Sequence, residues 1–122
     1  MKLAVWNIRG LNKALKNGVV RQFVKKHKIG IFGLVETCVK ENKARSILDR
    51  LKLGWEWTHN YLHHSNGRIW ILWKADNFDL RVISSMSQGI HTRVVDLRTN
   101  VQFDLTVIYG FNTGRLRQDL WT

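Results

Sequence analysis

The feature that most constrains the fold of this chain is a short apolar run, Ile29–Val35, which ends at the carboxylate of Glu36. The run is rich in Ile, Leu, Val and Phe and does not alternate, which is typical of a strand buried on both faces of a parallel or mixed α/β sheet. Ligands and metals in such sheets gather at the carboxyl ends of strands, where Glu36 lies. An isolated carboxylate there requires a cation or hydrogen-bond donors. The alternative is an ordinary ion pair between Glu36 and one of the many Lys and Arg residues.

A second apolar segment, at residues 3–6, also ends in a polar residue, Asn7. Between the two segments, apolar side chains recur at i, i+3, i+4 and i+7 and predict an amphipathic helix over residues 16–28. A strand, a helix and a strand in this order form a βαβ unit, in which the two strands run parallel. We therefore expect Asn7 and Glu36 to lie beside each other at one edge of a sheet.

The rest of the chain predicts a second helix at residues 40–51 and then changes to short alternating segments. Strands are expected at residues 55–59, 68–74, 78–82, 90–97 and 101–109. Turn signals separate these strands, so they indicate an antiparallel meander. The predicted fold class is therefore α/β with mixed sheets, a βαβ start followed by antiparallel strands, in a single domain over residues 1–122.

The chain is strongly basic, because 20 Lys and Arg residues against 9 Asp and Glu residues give a net charge of +11 at pH 7. Charge of this sign attracts polyanions, and nucleic acid is the commonest polyanion for a basic domain. Four of the six Trp residues lie in predicted strands: Trp55, Trp57, Trp70 and Trp73. Aromatic side chains beside basic ones stack on bases, whereas Trp at strand positions also serves as core. Composition therefore favours a nucleic-acid partner, and a basic surface kept for solubility is the alternative.

Cysteine usage and the first residues bear on location. Cys38 is the only cysteine, so the chain builds neither a disulfide framework nor a thiolate zinc site, and a reducing, intracellular setting is expected. The first apolar stretch is too short for the core of a signal peptide. We therefore expect a soluble protein that is not secreted.

A small set of polar side chains lies at or just after predicted strand ends, namely Asn7, Glu36, Tyr109 and Asn112. A carboxylate suits a hard divalent cation, and amides with a phenol suit an anionic phosphate. Together these groups suit Mg²⁺-assisted attack on a phosphodiester. The Gly-x-Ser-x-Gly motif that marks a serine nucleophile does not occur in the sequence.

Five segments carry a resemblance to a known family. They are residues 6–12 (WNIRGLN), 35–37 (VET), 67–73 (GRIWILW), 107–112 (VIYGFN) and 117–121 (RQDLW). With these segments in this order, the chain resembles the endonuclease/exonuclease/phosphatase superfamily. It is most similar to the endonuclease domains of plant LINE-type non-LTR retrotransposons, which are related to apurinic/apyrimidinic endonucleases. The resemblance implies a four-layer α/β sandwich of two mixed sheets with helices outside.

The same resemblance implies roles for individual residues. Asn7 matches the Asn that helps to hold the active-site network, and Glu36 matches the Glu that binds the catalytic Mg²⁺ (or Mn²⁺). Tyr109 matches the Tyr that approaches the scissile phosphate. Asn112 matches an Asn on the DNA-binding surface, and Arg115 is expected to contact the DNA backbone. The implied partner is DNA, and the expected location is the nucleus rather than the cytoplasm.

The chain departs from the family pattern at its C-terminal side. Family members continue with a Gly-Asp-x-Asn motif and end with an Asp and a His that activate the attacking water, and none of these motifs occurs here. The resemblance therefore implies the N-terminal half of the domain, with the missing C-terminal half as an expected partner. Loss of a general base typically costs about 10²- to 10⁴-fold in rate, so we expect no activity from this chain alone. We also expect its sheet, without the second sheet of a sandwich, to expose a broad apolar face.

Two alternatives to this interpretation remain open. The first is a non-catalytic nucleic-acid-binding module, which would place basic side chains on phosphates. Its candidate residues are Lys13, Lys16, Lys25, Lys26 and Arg115. The second is a truncated remnant without a function of its own. A steep salt dependence of binding marks the module, and a molten chain without cooperative unfolding marks the remnant.

Overall fold

The computed structural model describes residues 2–11, 13–62 and 68–109, which form two helices and seven strands. In chain order these are β1 (Lys2–Asn7), α1 (Ala14–His27), β2 (Ile29–Val35), α2 (Glu41–Leu51), β3 (Glu56–His59), β4 (Ile69–Trp73), β5 (Phe78–Met86), β6 (Gly89–Asp96) and β7 (Val101–Ile108). The predicted helices and strands are all present, and their ends differ from the prediction by a few residues. Neither helix of this described part is long and apolar enough to span a membrane.

The first sheet contains four strands in the order β1-β2-β4-β3. β1 and β2 run parallel with α1 between them, so the predicted βαβ unit is confirmed. β4 pairs antiparallel with both β2 and β3. β5, β6 and β7 form a separate antiparallel sheet. The prediction of one continuous meander is therefore wrong for β3 and β4, which join the first sheet.

β4 joins the first sheet because its side chains are apolar on both faces. Its run, Ile-Trp-Ile-Leu-Trp, is buried at every position except the last, and it pairs with β2, which is buried throughout. Strands of this kind need cover on two sides, and the middle of the first sheet provides it. The strands of the second sheet alternate for most of their length and bury one face.

The first sheet lies between the helices and the second sheet. One hydrophobic cluster joins the helices to the sheet and includes Val20, Val24, Phe32, Ile47, Leu51 and Trp70. A second cluster joins the opposite face to the second sheet and includes Ile31, Ile69, Ile71, Ile90, Val94 and Val107. This order of layers is that of a partial four-layer α/β sandwich, as predicted. The expectation of a lone sheet with an exposed inner face is wrong, because β5–β7 cover that face.

Two buried polar side chains, Asn60 and Tyr61, follow β3 and form hydrogen bonds to other parts of the fold. The Asn60 amide oxygen accepts a hydrogen bond from the Ile69 N–H at 3.1 Å, and its amide nitrogen donates to the Ser87 carbonyl at 3.1 Å. The Tyr61 hydroxyl donates to the Val39 carbonyl at 2.6 Å. Asn60 therefore connects the first sheet to the turn between β5 and β6, and Tyr61 connects it to the loop before α2.

Candidate active site

Asn7 and Glu36 lie beside each other at the carboxyl edge of the parallel strand pair. Asn7 is the last residue of β1 and the register partner of Val35, and Glu36 follows Val35 directly. The ladder continues beyond the strands, because the Ile8 N–H donates to the Val35 carbonyl at 3.0 Å and the Gly10 N–H donates to the Glu36 carbonyl at 3.1 Å. The expected juxtaposition of the two polar residues is therefore present, and the backbone holds it.

The backbone at this edge adopts a costly conformation. Glu36 has a φ of 58°, and Arg9 and Cys38 in the neighbouring loops have φ values of 42° and 55°. Residues other than glycine adopt this left-handed conformation at a cost of about 1 to 2 kcal/mol per residue. Clusters of such residues occur where the surrounding structure requires a particular side-chain placement. At Glu36, this conformation turns the chain sharply at the end of β2.

The Glu36 carboxylate forms an ion pair with Arg9. The Arg9 Nε donates to Glu36 Oε2 at 3.1 Å, the Arg9 side chain is 69% exposed, and the Glu36 side chain is 20% exposed. The ordinary ion pair considered from the sequence is therefore present. A pair with so exposed a partner contributes about 0 to 1 kcal/mol, so its presence does not compete strongly with a divalent cation at the carboxylate.

Asn7 has a buried acceptor without a donor. Its Oδ1 atom has no hydrogen-bond partner among the residues that the structure describes. Most buried polar atoms are paired, so an unpaired one calls for a physical explanation. Amide oxygens, like carboxylates, are ligands that suit a hard cation.

Mg²⁺ fits these residues better than a metal that needs a complete protein cage. Within the described ranges, no group of three or more His, Cys, Asp or Glu residues could hold a metal ion. Mg²⁺ usually keeps several waters and uses one or two carboxylates together with substrate phosphates. The single carboxylate of Glu36 meets that requirement, and Asn7 ends the neighbouring strand.

Arg68 connects the Glu36 loop to Tyr109. Its carbonyl accepts a hydrogen bond from the Glu36 N–H at 2.7 Å, and its guanidinium lies 4.6 Å from the centre of the Tyr109 ring. Tyr109 follows β7, and its own N–H donates to the Gln88 carbonyl at 2.8 Å. A carboxylate, a guanidinium and a phenol therefore lie along one edge where both sheets end.

The remaining predicted site residues have different outcomes. Asn112 and Arg115 lie outside the described residues. Lys16, a candidate phosphate ligand of the alternative binding module, is engaged in the loop after β1, since its Nζ donates to the carbonyls of Ile8 and Arg9. Arg68 was not among the predicted site residues, although it lies within the segment 67–73. Its only sequence signal is a basic residue directly before an apolar run, and that signal does not show that the run pairs with β2.

Comparison with known proteins identifies the fold. No protein-family model and no curated protein matches the sequence. An AP endonuclease from Leishmania major matches in structure with a TM-score of 0.60 and 16% identity, over 97% of this chain and 44% of that one. The human Nocturnin catalytic domain, solved with a sulfate anion, matches with a TM-score of 0.54 and 15% identity, over 95% of this chain and 54% of that one. An endonuclease/exonuclease/phosphatase from Bacteroides vulgatus matches with a TM-score of 0.54 and 12% identity, over 85% of this chain and 49% of that one.

These matches rest on structure, because the sequence identities are too low to show more than a fold. The chain spans about half the length of the solved structures that it matches. The order of its layers agrees with that likeness. The protein therefore shares its fold with these structures, as a mixed α/β arrangement of two sheets that is consistent with part of a four-layer α/β sandwich.

Proposed function

We propose that this chain is the N-terminal part of a Mg²⁺-dependent DNA endonuclease domain of the LINE retrotransposon type, which hydrolyses phosphodiesters. The observation that carries the proposal is the meeting of Asn7, Glu36, Arg68 and Tyr109 at one edge of the sheets. The fold shared with nuclease structures supports the general class. The order of the sequence motifs supports the retrotransposon type.

Each of these side chains has a distinct proposed role. Glu36 holds the metal, and the Asn7 carboxamide orders the groups around it. Mg²⁺ (or Mn²⁺), when bound, supplies Lewis-acid polarisation of a phosphate oxygen. Arg68 offers the phosphate a planar pair of N–H donors, as guanidinium groups do for phosphates elsewhere. Tyr109 supports that guanidinium with its ring and donates its hydroxyl to the phosphate.

The proposed substrate is DNA. Asn112 and Arg115, which lie outside the described residues, are proposed to extend the DNA-binding surface from Tyr109. A net charge of +11 supports a polyanionic substrate. We propose an intracellular location, in the nucleus, where a DNA substrate would be found.

The proposed partner is a C-terminal half of the same sandwich, and its supporting surface is the outer side of β1 and α1. β1 is an edge strand of the first sheet among the described residues. Leu15 of α1 is 81% exposed, and Val19, one turn later, is also exposed. Both line a cavity of about 340 Å³ beside Trp6. Exposed apolar surface next to an open strand edge suits a docked polypeptide.

The proposed division of the domain makes this chain inactive alone. The Asp and His that activate water in the family are not in its sequence. We therefore expect that supercoiled plasmid incubated with the purified chain and Mg²⁺ is nicked no faster than in EDTA, and no faster than with Glu36→Gln. Mg²⁺-dependent nicking that Glu36→Gln abolishes would contradict the need for a second half. Nicking that survives Glu36→Gln would contradict the role of Glu36.

A non-catalytic nucleic-acid-binding module is the second candidate, and the net charge favours it. Of its predicted residues, Lys13, Lys25 and Lys26 are exposed, whereas Lys16 is held by the loop carbonyls. The two candidates differ at Glu36. A module binds DNA without regard to divalent cations, whereas the proposed active site binds Mn²⁺ through Glu36 in the absence of DNA.

A further inference from the structure

A basic groove lies at the end of the first sheet opposite to Glu36. It is a cavity of about 590 Å³ at the point where β2 begins and β4 ends. Five basic residues line it: Lys25, Lys28, Lys52, Lys74 and Arg98. Among the described residues that form this lining, none is acidic. The groove is therefore separate from the candidate active site, which combines the Glu36 carboxylate with the guanidinium groups of Arg9 and Arg68.

The lysines exceed what the local structure needs. Lys28 and Lys52 follow the last turns of α1 and α2, where a basic side chain offsets the helix dipole. Each helix end carries roughly half a negative charge, so both ends together balance about one lysine of the four. Arg98 adds little, because its Nε lies 3.7 Å from Asp96 Oδ1. The groove therefore keeps a net positive charge that the fold does not use.

An aromatic side chain forms part of the groove wall. Trp55 is half-buried and also lines a neighbouring cavity of about 200 Å³. The two cavities adjoin, because Lys52, Leu53 and Trp55 line both of them. Arg45 adds a cation to the smaller cavity, where Asp49 is an acidic neighbour.

We infer that this basic groove binds single-stranded nucleic acid, with phosphates on Lys28, Lys52 and Lys74 and a base against Trp55. Cations beside an aromatic ring are the combination with which proteins hold single strands without sequence preference. A duplex stacks its bases internally and offers no free base face to the indole. The site needs no metal, so oligonucleotide binding there can be tested independently of the proposed activity at Glu36.

Fluorescence anisotropy with a labelled twelve-residue oligothymidylate in EDTA tests this site. We expect Lys28→Glu/Lys74→Glu to raise the Kd about tenfold or more and to reduce the slope of log Kd against log salt by about 1.4, since each phosphate contact on a single strand contributes roughly 0.7. The matched control is Lys40→Glu/Lys43→Glu, which changes the net charge equally on exposed positions around the start of α2. Equal losses in both variants, or equal affinity for a duplex of the same length, would overturn the inference.

Nuclear magnetic resonance on the unaltered chain provides a second test that does not depend on how the variants fold. Adding the same oligonucleotide in EDTA should shift the Trp55 indole N–H signal and the backbone amide signals of Lys28 and Lys74. These shifts should saturate at lower oligonucleotide concentrations than any shift at Glu36. Shifts confined to the Glu36 edge, with Trp55 unchanged, would place binding elsewhere and contradict the inference.

Discussion

Glu36 combines features that an ordinary strand-end carboxylate does not need. Its backbone lies in the left-handed region, its side chain is largely buried, and its ion-pair partner Arg9 is mostly exposed. The ion pair contributes about 0 to 1 kcal/mol, which is no more than the roughly 1 to 2 kcal/mol that the backbone conformation costs. The pair alone therefore does not account for a carboxylate held in this position. The cation proposed to bind Glu36 would supply the missing stabilisation.

Tyr61 gives the fold a defined response to alkaline pH. Burial raises the pKa of its hydroxyl from 10.0 to about 12, a hydrogen bond from Trp70 opposes this shift, and the charge of Glu41 adds to it. Because the folded pKa is the higher one, the hydroxyl's contribution to stability is complete below about pH 10. It is lost as the pH rises through the folded value, because the unfolded state ionises first.

We expect Tyr61→Phe to lower the free energy of unfolding by about 1 to 3 kcal/mol at pH 8, since the Val39 carbonyl and the Trp70 N–H lose their partner. At pH 11 this deficit should shrink by about 1 kcal/mol. The wild type loses stability at that pH because its unfolded state ionises at Tyr61, whereas phenylalanine has no hydroxyl to ionise. Urea unfolding of both proteins at the two pH values measures the difference. A deficit that does not change with pH would contradict the buried, protonated hydroxyl.

At the residue level, chain order and local pattern were enough to predict that Asn7 and Glu36 are neighbours. Each ends an apolar strand, and the helix between the strands requires them to run parallel. Arg68 could not be found in this way. Its place beside Glu36 depends on the pairing of β4 with β2, and its contact with Tyr109 depends on where the second sheet ends. Both are contacts between distant parts of the chain.

Among the elements, β2 is the most constrained because it is covered on both faces. Gly33 lies in its middle, where a Cβ atom would be 3.1 Å from a Val107 methyl and 3.3 Å from a Val5 methyl. Both neighbours belong to packed strands and have little room to move. The approach of the second sheet to the first therefore depends on a residue without a side chain at this position.

We expect Gly33→Ala to lower the free energy of unfolding by about 1 to 3 kcal/mol, the usual cost of overpacking. The matched control is Gly18→Ala in α1, where a Cβ atom would meet nothing within 4 Å. That change should raise the free energy of unfolding by about 0.5 to 1 kcal/mol, because alanine is the better helix former. Urea unfolding of both variants measures the two effects, and effects of the same sign would contradict this account of the packing.

The elements themselves were largely predictable, and their partition into sheets was not. Hydrophobic periodicity located both helices and the strands, because burial on one face or on two faces leaves a local pattern. It could not show that β4 inserts beside β2 while β5–β7 form another sheet. An apolar pattern on both faces of a strand indicates only that other elements pack against both faces. Which elements cover it is decided by contacts across the whole chain.

Over the whole molecule, the first sheet has two chemically different ends. At one end lie the carboxylate of Glu36 and the amide of Asn7, and at the other lie the cations of the basic groove. Net charge predicted a polyanionic partner but carried no information about position, because charge is a sum over the sequence. The two proposals therefore concern opposite ends of the first sheet: a metal-assisted phosphodiester site at the Glu36 edge and a single-strand site at the basic groove.

The measurement that tests the central claim most directly is the position at which Mn²⁺ binds, read from paramagnetic broadening of backbone amide signals. We predict that substoichiometric Mn²⁺ broadens the signals of Ile8, Thr37 and Arg68 in the wild type. The broadening should persist in Glu41→Gln, which removes an exposed carboxylate at the start of α2, and disappear in Glu36→Gln. Broadening that survives Glu36→Gln, or that centres on another part of the chain, would contradict a metal site at the carboxyl ends of β1 and β2.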